Sequence, residues 1–339
     1  MSLKTKISRI IHILFVFSTV ACKEEPEEPI AEPDTSSWAS NADFPYGDVI
    51  EAVSFTVGNK LFIGTGFVFF ETFSGYSNVF FSYDVQKNEW SKVADLPSDA
   101  RESAISFSIG EYGYVGLGKD CLGMGICEHH YFNDLWRYDP STNSWMEMAE
   151  FPGSPRAYST SFVIGDKAYI TGGSSYGDND LWEYSPAKNQ WTKKADYPGN
   201  CSNRQVSFSV NGRGFVGFGW SGGTCKDFWE YKPATDQWIQ KAEFPGEARY
   251  DAFSVALKDK GYLMAGINQT MTDVTYHSDL WEYEPNKEVW TKIEAGFPGK
   301  GRVNLVGGAF EDSFMVGLGT QASFYKFPFG IVDFWKFLP

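Results

Sequence analysis

Short apolar runs recur along the whole chain and are separated by Gly, Pro, Asn and Asp. Residues 104–109 alternate apolar and polar side chains, and residues 114–118 form a second apolar run that ends in glycine. A period of two indicates β-strands with one buried face. Gly and Pro occur too often for long helices. The pattern therefore predicts an all-β fold built from many short strands.

A longer motif repeats on top of this strand pattern. Tyr83 and Trp90 stand seven residues apart around a turn, and the same pair recurs four times further along the chain. The recurrences are Tyr138 with Trp145, Tyr184 with Trp191, Tyr231 with Trp238, and Tyr283 with Trp290. Each unit also has an alternating strand and a strand that ends in glycines. The sequence thus predicts six units of roughly 50 residues with four strands each, which is how propeller blades are built.

The two ends of the chain complement each other. Residues 333–337 match the third strand of a unit, but no Trp strand follows them. Residues 38–45 contain such a Trp strand ahead of the first unit. We therefore expect the N-terminal strand to complete the last blade, which closes the ring and removes open sheet edges.

These motifs resemble the kelch-repeat family, in which a glycine pair, an aromatic residue and a Trp follow one another at such spacings. The resemblance extends over the chain from residue 37 onward. It implies an all-β, six-bladed kelch β-propeller. It does not imply one activity, because kelch propellers include both enzymes and pure binding proteins.

Composition narrows the function classes. The chain has 339 residues, with 29 Lys and Arg against 43 Asp and Glu, and a formal net charge of −14. Proteins that bind nucleic acid usually present a basic patch to the phosphates, so we expect no nucleic-acid partner. Aromatic residues make up 17% of the chain and charged residues only 21%, as in a packed globular protein.

The N-terminus has the features of an export signal. A basic segment precedes the apolar run of residues 10–20, which is too short to span a bilayer. The Ala-Cys step that ends at Cys22 resembles the lipobox of bacterial lipoproteins, although Thr19 stands where that motif usually has Leu. We predict a lipoprotein signal peptide at 1–21, lipidation of Cys22, an acidic Pro-rich tether at 22–36 and the propeller at 37–339. An ordinary secretory signal is the alternative.

The first residues of the tether give an indication of the cellular location of the protein. Lys23, Glu24 and Glu25 follow the lipidated cysteine and resemble the surface-export signal of some Gram-negative outer-membrane lipoproteins. A plain solvated spacer is the alternative. We therefore expect a lipid-anchored protein of the cell envelope, at the outer membrane, with exposure at the cell surface left open. Its contact with the membrane would be through the lipid anchor only.

The repeat serves as an internal control that separates scaffold from site. All tryptophans except Trp220 occupy one of two repeated positions, which indicates packing. Trp220 lies in the loop between the second and third strands of its unit, on the face where loop length varies. The same face carries the candidate ligand-binding residues Tyr131, Tyr176 and Tyr276, since exposed aromatics on loops suit ligand binding and stacking on sugars. The alternative is that these aromatics pack on each other as a roof.

A set of arginines falls near the start of the units. The candidate ligand-binding members are Arg101, Arg156, Arg204, Arg249 and Arg302. Several arginines at one channel mouth of an acidic protein would bind a carboxylate. The alternative is a scaffold role, in which each arginine bonds loop carbonyls of the next blade.

Four cysteines remain after Cys22, and an exported protein favours disulfides. We prefer Cys121 with Cys127 and Cys201 with Cys225 among the three possible pairings. A zinc site at Cys121, Cys127, His129 and His130 is the rival, but the spacing is not that of a standard finger. No metal and no cofactor are expected.

Two kelch enzymes enter as alternatives. Galactose oxidase needs a copper site, for which Tyr276 and His277 offer one pair of the required type, without a clear second histidine or cross-linking cysteine. The kelch-type sialic acid mutarotase needs only a positioned acid and base, which Glu51, Glu102 and Asp251 near the channel could supply.

The main prediction is a non-catalytic binding module of the cell envelope, for a glycan or an envelope protein partner. The first alternative is a sugar-modifying enzyme such as an N-acetylneuraminate-type mutarotase or epimerase. The copper enzyme is less favoured. A scaffold subunit of an envelope complex is the remaining alternative, and whether the protein catalyses a reaction is left open.

Overall fold

The computed structural model describes residues 37–70, 72, 74–122, 128–173, 178–321 and 331–339. The predictions for the signal peptide at 1–21, the tether at 22–36, Cys22, Cys127 and Tyr176 lie outside the described residues. Within them, no helix is long and apolar enough to cross a membrane.

The described chain is built from strands. In chain order they are β1 (Trp38–Asn41), β2 (Asp48–Ile50), β3 (Val53–Val57), β4 (Lys60–Gly64), β5 (Phe67–Phe69), β6 (Ser74–Tyr76), β7 (Phe80–Asp84), β8 (Glu89–Lys92), β9 (Ile105–Ile109), β10 (Tyr112–Gly116), β11 (Lys119–Leu122), β12 (Glu128–Tyr131), β13 (Leu135–Asp139), β14 (Ser144–Glu147), β15 (Ser159–Ile164), β16 (Lys167–Gly172), β17 (Leu181–Ser185), β18 (Gln190–Lys194), β19 (Val206–Val210), β20 (Arg213–Gly217), β21 (Phe228–Lys232), β22 (Gln237–Gln240), β23 (Phe253–Leu257), β24 (Lys260–Met264), β25 (Ile267–Gln269), β26 (Val274–Tyr276), β27 (Leu280–Glu284), β28 (Val289–Ile293), β29 (Val306–Ala309), β30 (Phe314–Gly317) and β31 (Phe334–Phe337).

Most strands belong to six four-stranded antiparallel sheets, as the repeat predicts. In strand order, sheet 1 is β3-β4-β7-β8, sheet 2 is β9-β10-β13-β14, sheet 3 is β15-β16-β17-β18, sheet 4 is β19-β20-β21-β22, sheet 5 is β23-β24-β27-β28 and sheet 6 is β29-β30-β31-β1. The first strands neighbour one another in the order β3, β9, β15, β19, β23, β29 and back to β3. The sheets therefore form a closed ring around a central channel.

The N-terminal strand closes this ring. β1 pairs antiparallel with β31, with Trp38 opposite Phe337. Trp38 also donates its indole N–H to the Ala295 carbonyl at 2.7 Å. The prediction that the N-terminal strand completes the last sheet is confirmed.

The core lies between neighbouring sheets. Six apolar clusters occur among the described residues, and each combines side chains of two adjacent sheets. Between sheets 4 and 5, for example, Phe208 and Phe215 pack with Leu263 and Tyr283. Alternate residues of the inner strands supply these contacts, and the others face the channel.

A polar triad recurs in four of the sheets. Asp134, which precedes β13, accepts the Trp136 indole N–H at 2.8 Å and pairs with the buried Arg101 guanidinium. The other triads are Arg156, Asp180 and Trp182; Arg249, Asp279 and Trp281; and Arg302, Asp333 and Trp335. Sheet 1 carries Val49, Val79 and Phe81 at the same three positions. Sheet 4 has Ser202 at the arginine position and keeps the hydrogen bond from Trp229 to Asp227. The triad recurs at one place in the repeat and its arginine is buried, which indicates a packing role.

Candidate functional site

Six residues, one for each sheet, surround one end of the channel. This mouth ring consists of Glu51, Ser103, Tyr158, Arg204, Asp251 and Asn304. All six have a positive φ, between 51° and 63°. Such a conformation is uncommon for residues other than glycine, and backbone strain of this kind often accompanies functional sites.

Backbone hydrogen bonds connect the mouth ring from sheet to sheet. The N–H of Ser103 donates to the Glu51 carbonyl at 3.0 Å, and that of Tyr158 donates to the Ser103 carbonyl at 3.1 Å. Arg204 and Asp251 continue the series, with 3.1 and 3.4 Å. The left-handed turn therefore has a structural role, and it directs a side chain of each sheet to the channel mouth.

The mouth ring encloses a cavity of about 230 Å³. Below it the channel is lined by hydroxyls of the inner strands. Ser106, Ser161, Ser207 and Ser254 each donate to the carbonyl of the equivalent serine in the preceding sheet, at 2.7 to 2.9 Å. The cavity is smaller than the pockets of roughly 300–1,000 Å³ that hold drug-sized ligands, so its size suits one small polar molecule.

Arg204 joins two carboxylates of the mouth ring. Its Nη1 lies 2.5 Å from Asp251 Oδ2, and its Nη2 lies 3.3 Å from Glu51 Oε1. Its guanidinium also lies over the Tyr158 ring, 3.9 Å from the centroid. Four groups that can exchange protons or bind anions, from four different sheets, are therefore held in one cavity.

Burial shifts the protonation of the acids. It raises the pKa of Asp251 to about 6, against the opposing charge of Arg204, and the Glu51 charge adds to the increase. Burial and the Glu51 charge also raise the pKa of Glu102, next to the mouth ring, to about 7. The pKa of Arg204 is raised, because Asp251 and Glu51 outweigh the opposing effect of its burial. Carboxyl groups that titrate near neutrality are suited to general acid–base catalysis.

The predicted arginine set divides in two. Arg101, Arg156, Arg249 and Arg302 are buried in the triads, and each donates to a backbone carbonyl at or just after the end of the second strand of its own sheet, not to one of the next sheet. These four belong to the scaffold and present no exposed guanidinium to a ligand. Arg204 lies two positions further along the repeat and is the arginine that reaches the cavity.

The predicted aromatic residues lie on hairpins and loops above the mouth ring. Tyr131 is on β12 and Tyr276 is on β26, and both are half-buried. Trp220 is 42% exposed, and its backbone pairs with that of Asn203, the neighbour of Arg204. Trp220 therefore lies close to the mouth ring in space, and its exposed side chain is accessible to a ligand.

Cys201 and Cys225 form the predicted disulfide, with their Cα atoms 6.0 Å apart. It ties the Trp220 loop to the segment that precedes Arg204. Cys121 is also disulfide-bonded, and the predicted partner Cys127 lies outside the described residues. Because its sulfur is already bonded, Cys121 is not a free thiolate for the zinc alternative. The described residues hold no cluster of His, Cys, Asp and Glu suited to a metal ion.

Replacing Cys201 and Cys225 with Ser should lower the free energy of unfolding by about 3 kcal/mol. The bond closes a chain segment with a separation of 24 residues, and its loss frees the unfolded chain. Urea unfolding of the oxidised protein and of the double variant measures the difference. Reductant should lower the stability of the wild type further than that of the double variant, and an equal response would contradict the prediction.

The mouth ring was not recognised from the sequence as a set. Glu51 and Asp251 were candidates only for the enzyme alternative, and Ser103, Tyr158 and Asn304 were not considered. No sequence signal singled out this position. Two residues beyond the arginine position the six units carry six different side chains, and the position just before it is equally varied.

A closed ring of four-stranded antiparallel sheets with a polar cavity on its axis is a β-propeller. A family model described as the KLHDC2/KLHL20/DRC7 Kelch-repeats domain matches residues 123–266. The solved structure of YjhT superposes with a TM-score of 0.71 over 86% of this chain and 96% of that one, at 18% identity. Residues 123–266 of the chain therefore match kelch repeats, and the described chain shares the fold of the solved structure.

Curated relatives match a shorter stretch. N-acetylneuraminate epimerase of Shigella flexneri serotype 5b (strain 8401) is 37% identical over 87 residues, which are 25% of this chain and 23% of that protein. The protein of the same name from Escherichia coli (strain K12) is 36% identical over 87 residues, with the same shares. The match therefore spans about a quarter of these relatives.

Proposed function

We propose that the protein is a sugar-modifying kelch enzyme that interconverts the anomers of an acidic sugar of the N-acetylneuraminate type. The observation that carries this proposal is that Asp251 and Glu51 each pair with a different terminal nitrogen of Arg204 in one small cavity. The names of the relatives support the same substrate class and favour this alternative over the binding module.

Interconversion of anomers needs a proton acceptor and a proton donor. The acceptor removes the proton of the anomeric hydroxyl while the donor protonates the ring oxygen, so that the ring opens to a carbonyl compound. Rotation of the carbonyl group and the reverse transfers close the ring in the other anomeric form. No redox step is needed, and two positioned side chains suffice.

Asp251 is our candidate acceptor. Its carboxyl has a pKa of about 6, so it is ionised at pH 7 and is a stronger base than an ordinary aspartate. Its ion pair with Arg204 fixes its position in the cavity. We assign Glu51 the supporting role of holding the other side of the guanidinium.

Arg204 is our candidate for binding the carboxylate of an acidic sugar. A guanidinium has five N–H donors, and the two carboxylates of the mouth ring do not use all of them. A guanidinium is charged at any physiological pH, and the raised pKa of Arg204 keeps it so despite its burial. A substrate carboxylate would accept charge-assisted hydrogen bonds from the N–H groups of Arg204 that Asp251 and Glu51 do not use.

The experiment is a time course of anomer interconversion by optical rotation or NMR. Freshly dissolved N-acetylneuraminate should equilibrate faster with the protein than without it. A neutral aldose such as galactose serves as the matched sugar without a carboxylate and should equilibrate at the buffer rate. Saturable sugar binding without acceleration would contradict catalysis and restore the binding module.

Trp220 extends the proposed site outward, as a stacking surface for the sugar. We expect Trp220→Ala to raise KM about tenfold, a loss of about 1.4 kcal/mol of binding, with kcat unchanged. Met271, fully exposed at the tip of the β25–β26 hairpin, offers a control on the same side. Initial rates over a range of sugar concentrations should be unaffected by Met271→Ala, and an unchanged KM in Trp220→Ala would exclude the stacking role.

The lipid anchor and the outer-membrane location stay predictions. If they hold, the enzyme would act on sugars at the cell envelope.

A further inference from the structure

The proposed reaction needs a proton donor, and the cavity contains a phenol in an unusual setting. Tyr158 lines the cavity and lies between two cations from different sheets. The Arg204 guanidinium is 3.9 Å and the Lys119 Nζ is 4.9 Å from the centre of its ring. Against the effect of burial, the electrostatic interaction with the Tyr158 hydroxyl raises the pKa of Lys119.

An ion pair with Glu102 holds Lys119 next to the Tyr158 side chain. Its Nζ lies 3.3 Å from Glu102 Oε1, and both side chains are largely buried. The two residues also exchange backbone hydrogen bonds of 2.9 and 3.0 Å, so their positions are fixed by the fold. A buried lysine beside a tyrosine is poised to stabilise a phenolate, because an opposite charge at short range lowers the cost of ionisation.

We infer that Tyr158 is the proton donor to the sugar ring oxygen, that Lys119 stabilises the phenolate that forms, and that Glu102 positions Lys119. This inference rests on the proposed function. In ring opening, the phenol proton moves to the ring oxygen, the bond from that oxygen to the anomeric carbon breaks, and Asp251 takes the proton of the anomeric hydroxyl. On closure of the other anomer, the new hydroxyl returns its proton to the phenolate and Asp251 returns its proton to the carbonyl oxygen.

The protonation states agree with these roles. Burial and the Glu51 charge raise the pKa of Tyr158 against the opposing charges of Arg204 and Lys119, so the phenol carries its proton at neutral pH. The Lys119 pKa is raised because Tyr158, Glu102 and Glu51 outweigh its burial, which keeps the ammonium charged.

Glu102 makes the donor sensitive to pH. The charged groups that face it are Glu51, Lys119 and Arg204. Tyr76 of the β5–β6 hairpin also interacts with Glu102 and Lys119, as well as with Asp120. Below its pKa of about 7, Glu102 is neutral and the Lys119 charge acts fully on the phenol. Above that pH the Glu102 charge opposes formation of a phenolate, so donation becomes slower.

The test combines variants with a pH profile of the purified protein, with N-acetylneuraminate as the probe. We expect Tyr158→Phe to lower kcat by roughly 100-fold, the lower end of the general acid–base range, with little change in KM. Tyr112→Phe is the matched control, since Tyr112 begins β10 at the opposite end of sheet 2. Lys119→Met should also lower kcat, by less than Tyr158→Phe.

The profile of kcat/KM for the wild type should rise through about pH 6 with Asp251 and fall above about pH 7 with Glu102. Glu102→Gln should abolish the alkaline fall and keep the acid rise, which a merely structural role of Glu102 would not produce. An undiminished kcat in Tyr158→Phe, or an alkaline fall retained in Glu102→Gln, would overturn the inference while leaving the proposed function intact. No acceleration by the wild type would instead refute the proposed function.

Discussion

Replacing Asp251 with Asn should lower kcat for interconversion of the anomers about 10²–10⁴-fold, the range that general acid–base groups contribute. Asparagine keeps the size of the side chain and a hydrogen bond to Arg204, but its amide cannot accept the hydroxyl proton. Because Arg204 and Glu51 remain in place, we expect substrate binding to change less than kcat.

The control for this variant is Asp273→Asn. Asp273 is an exposed aspartate in the β25–β26 hairpin, on the same side of the propeller. Its replacement removes the same charge from the protein without touching the cavity. A kcat for Asp251→Asn that equals the wild-type value would exclude Asp251 as the proton acceptor.

The second large effect concerns stability and separates the scaffold arginines from Arg204. Arg249→Val should lower the free energy of unfolding by about 3–5 kcal/mol, because it leaves the partly buried Asp279 without its cation. Arg249 donates to Asp279 at 2.5 and 3.0 Å and to the Ala265 carbonyl at 3.0 Å. Urea unfolding measures the loss, and kcat of the folded protein should stay at the wild-type value.

Sheet 1 provides the control for this prediction. It has Val49, Val79 and Phe81 where sheet 5 has Arg249, Asp279 and Trp281. Copying all three residues into sheet 5 should recover part of the stability lost in the single variant, since the Asp279 carboxylate is then no longer left without its cation. A triple variant less stable than Arg249→Val would contradict the packing role of the triad.

Arg204→Lys should reduce activity but not stability, which is the opposite of the result expected for Arg249→Val. The ammonium keeps a positive charge between Asp251 and Glu51, so we expect the fold to stay close to wild-type stability. An ammonium cannot reproduce the planar fork of the guanidinium, so kcat/KM should fall. The comparison of Arg204→Lys with Arg249→Val therefore distinguishes a site residue from a scaffold residue of the same type.

Most of the fold could be predicted from the sequence because it is repeated. The Tyr-to-Trp spacing recurs in five units and a strand that ends near a glycine recurs in all six, so an error in one unit is corrected by the others. The pairing of β1 with β31 followed from the missing Trp strand at the C-terminal end. Four-stranded sheets in a closed ring are the result.

The site was harder to predict, because a repeat hides what differs between units. Arg204 was placed in one set with Arg249, although it lies two positions further along its unit. Because of this two-residue difference, the Arg204 guanidinium lies at the channel mouth, whereas that of Arg249 lies in a buried triad. Nothing in the local sequence marks it, since the exposure of the side chain depends on the left-handed turn at its own backbone.

Tyr158 and Lys119 were missed for a related reason. They lie far apart in the chain, and they meet only where the start of the first strand of sheet 3 passes the hairpin of sheet 2. Trp220, in contrast, was found because it is the tryptophan that breaks the repeat. The internal comparison of units works for side chains that are rare, and it fails for side chains that are common.

The most direct test of the account is a crystal structure of the protein with N-acetylneuraminate at saturating concentration. The account predicts one sugar in the mouth ring, with its carboxylate on Arg204, its anomeric hydroxyl near Asp251 and its ring oxygen near Tyr158. A sugar bound only on the outer loops, or an empty mouth ring in the presence of bound sugar elsewhere, would contradict the assignment of this cavity as the site.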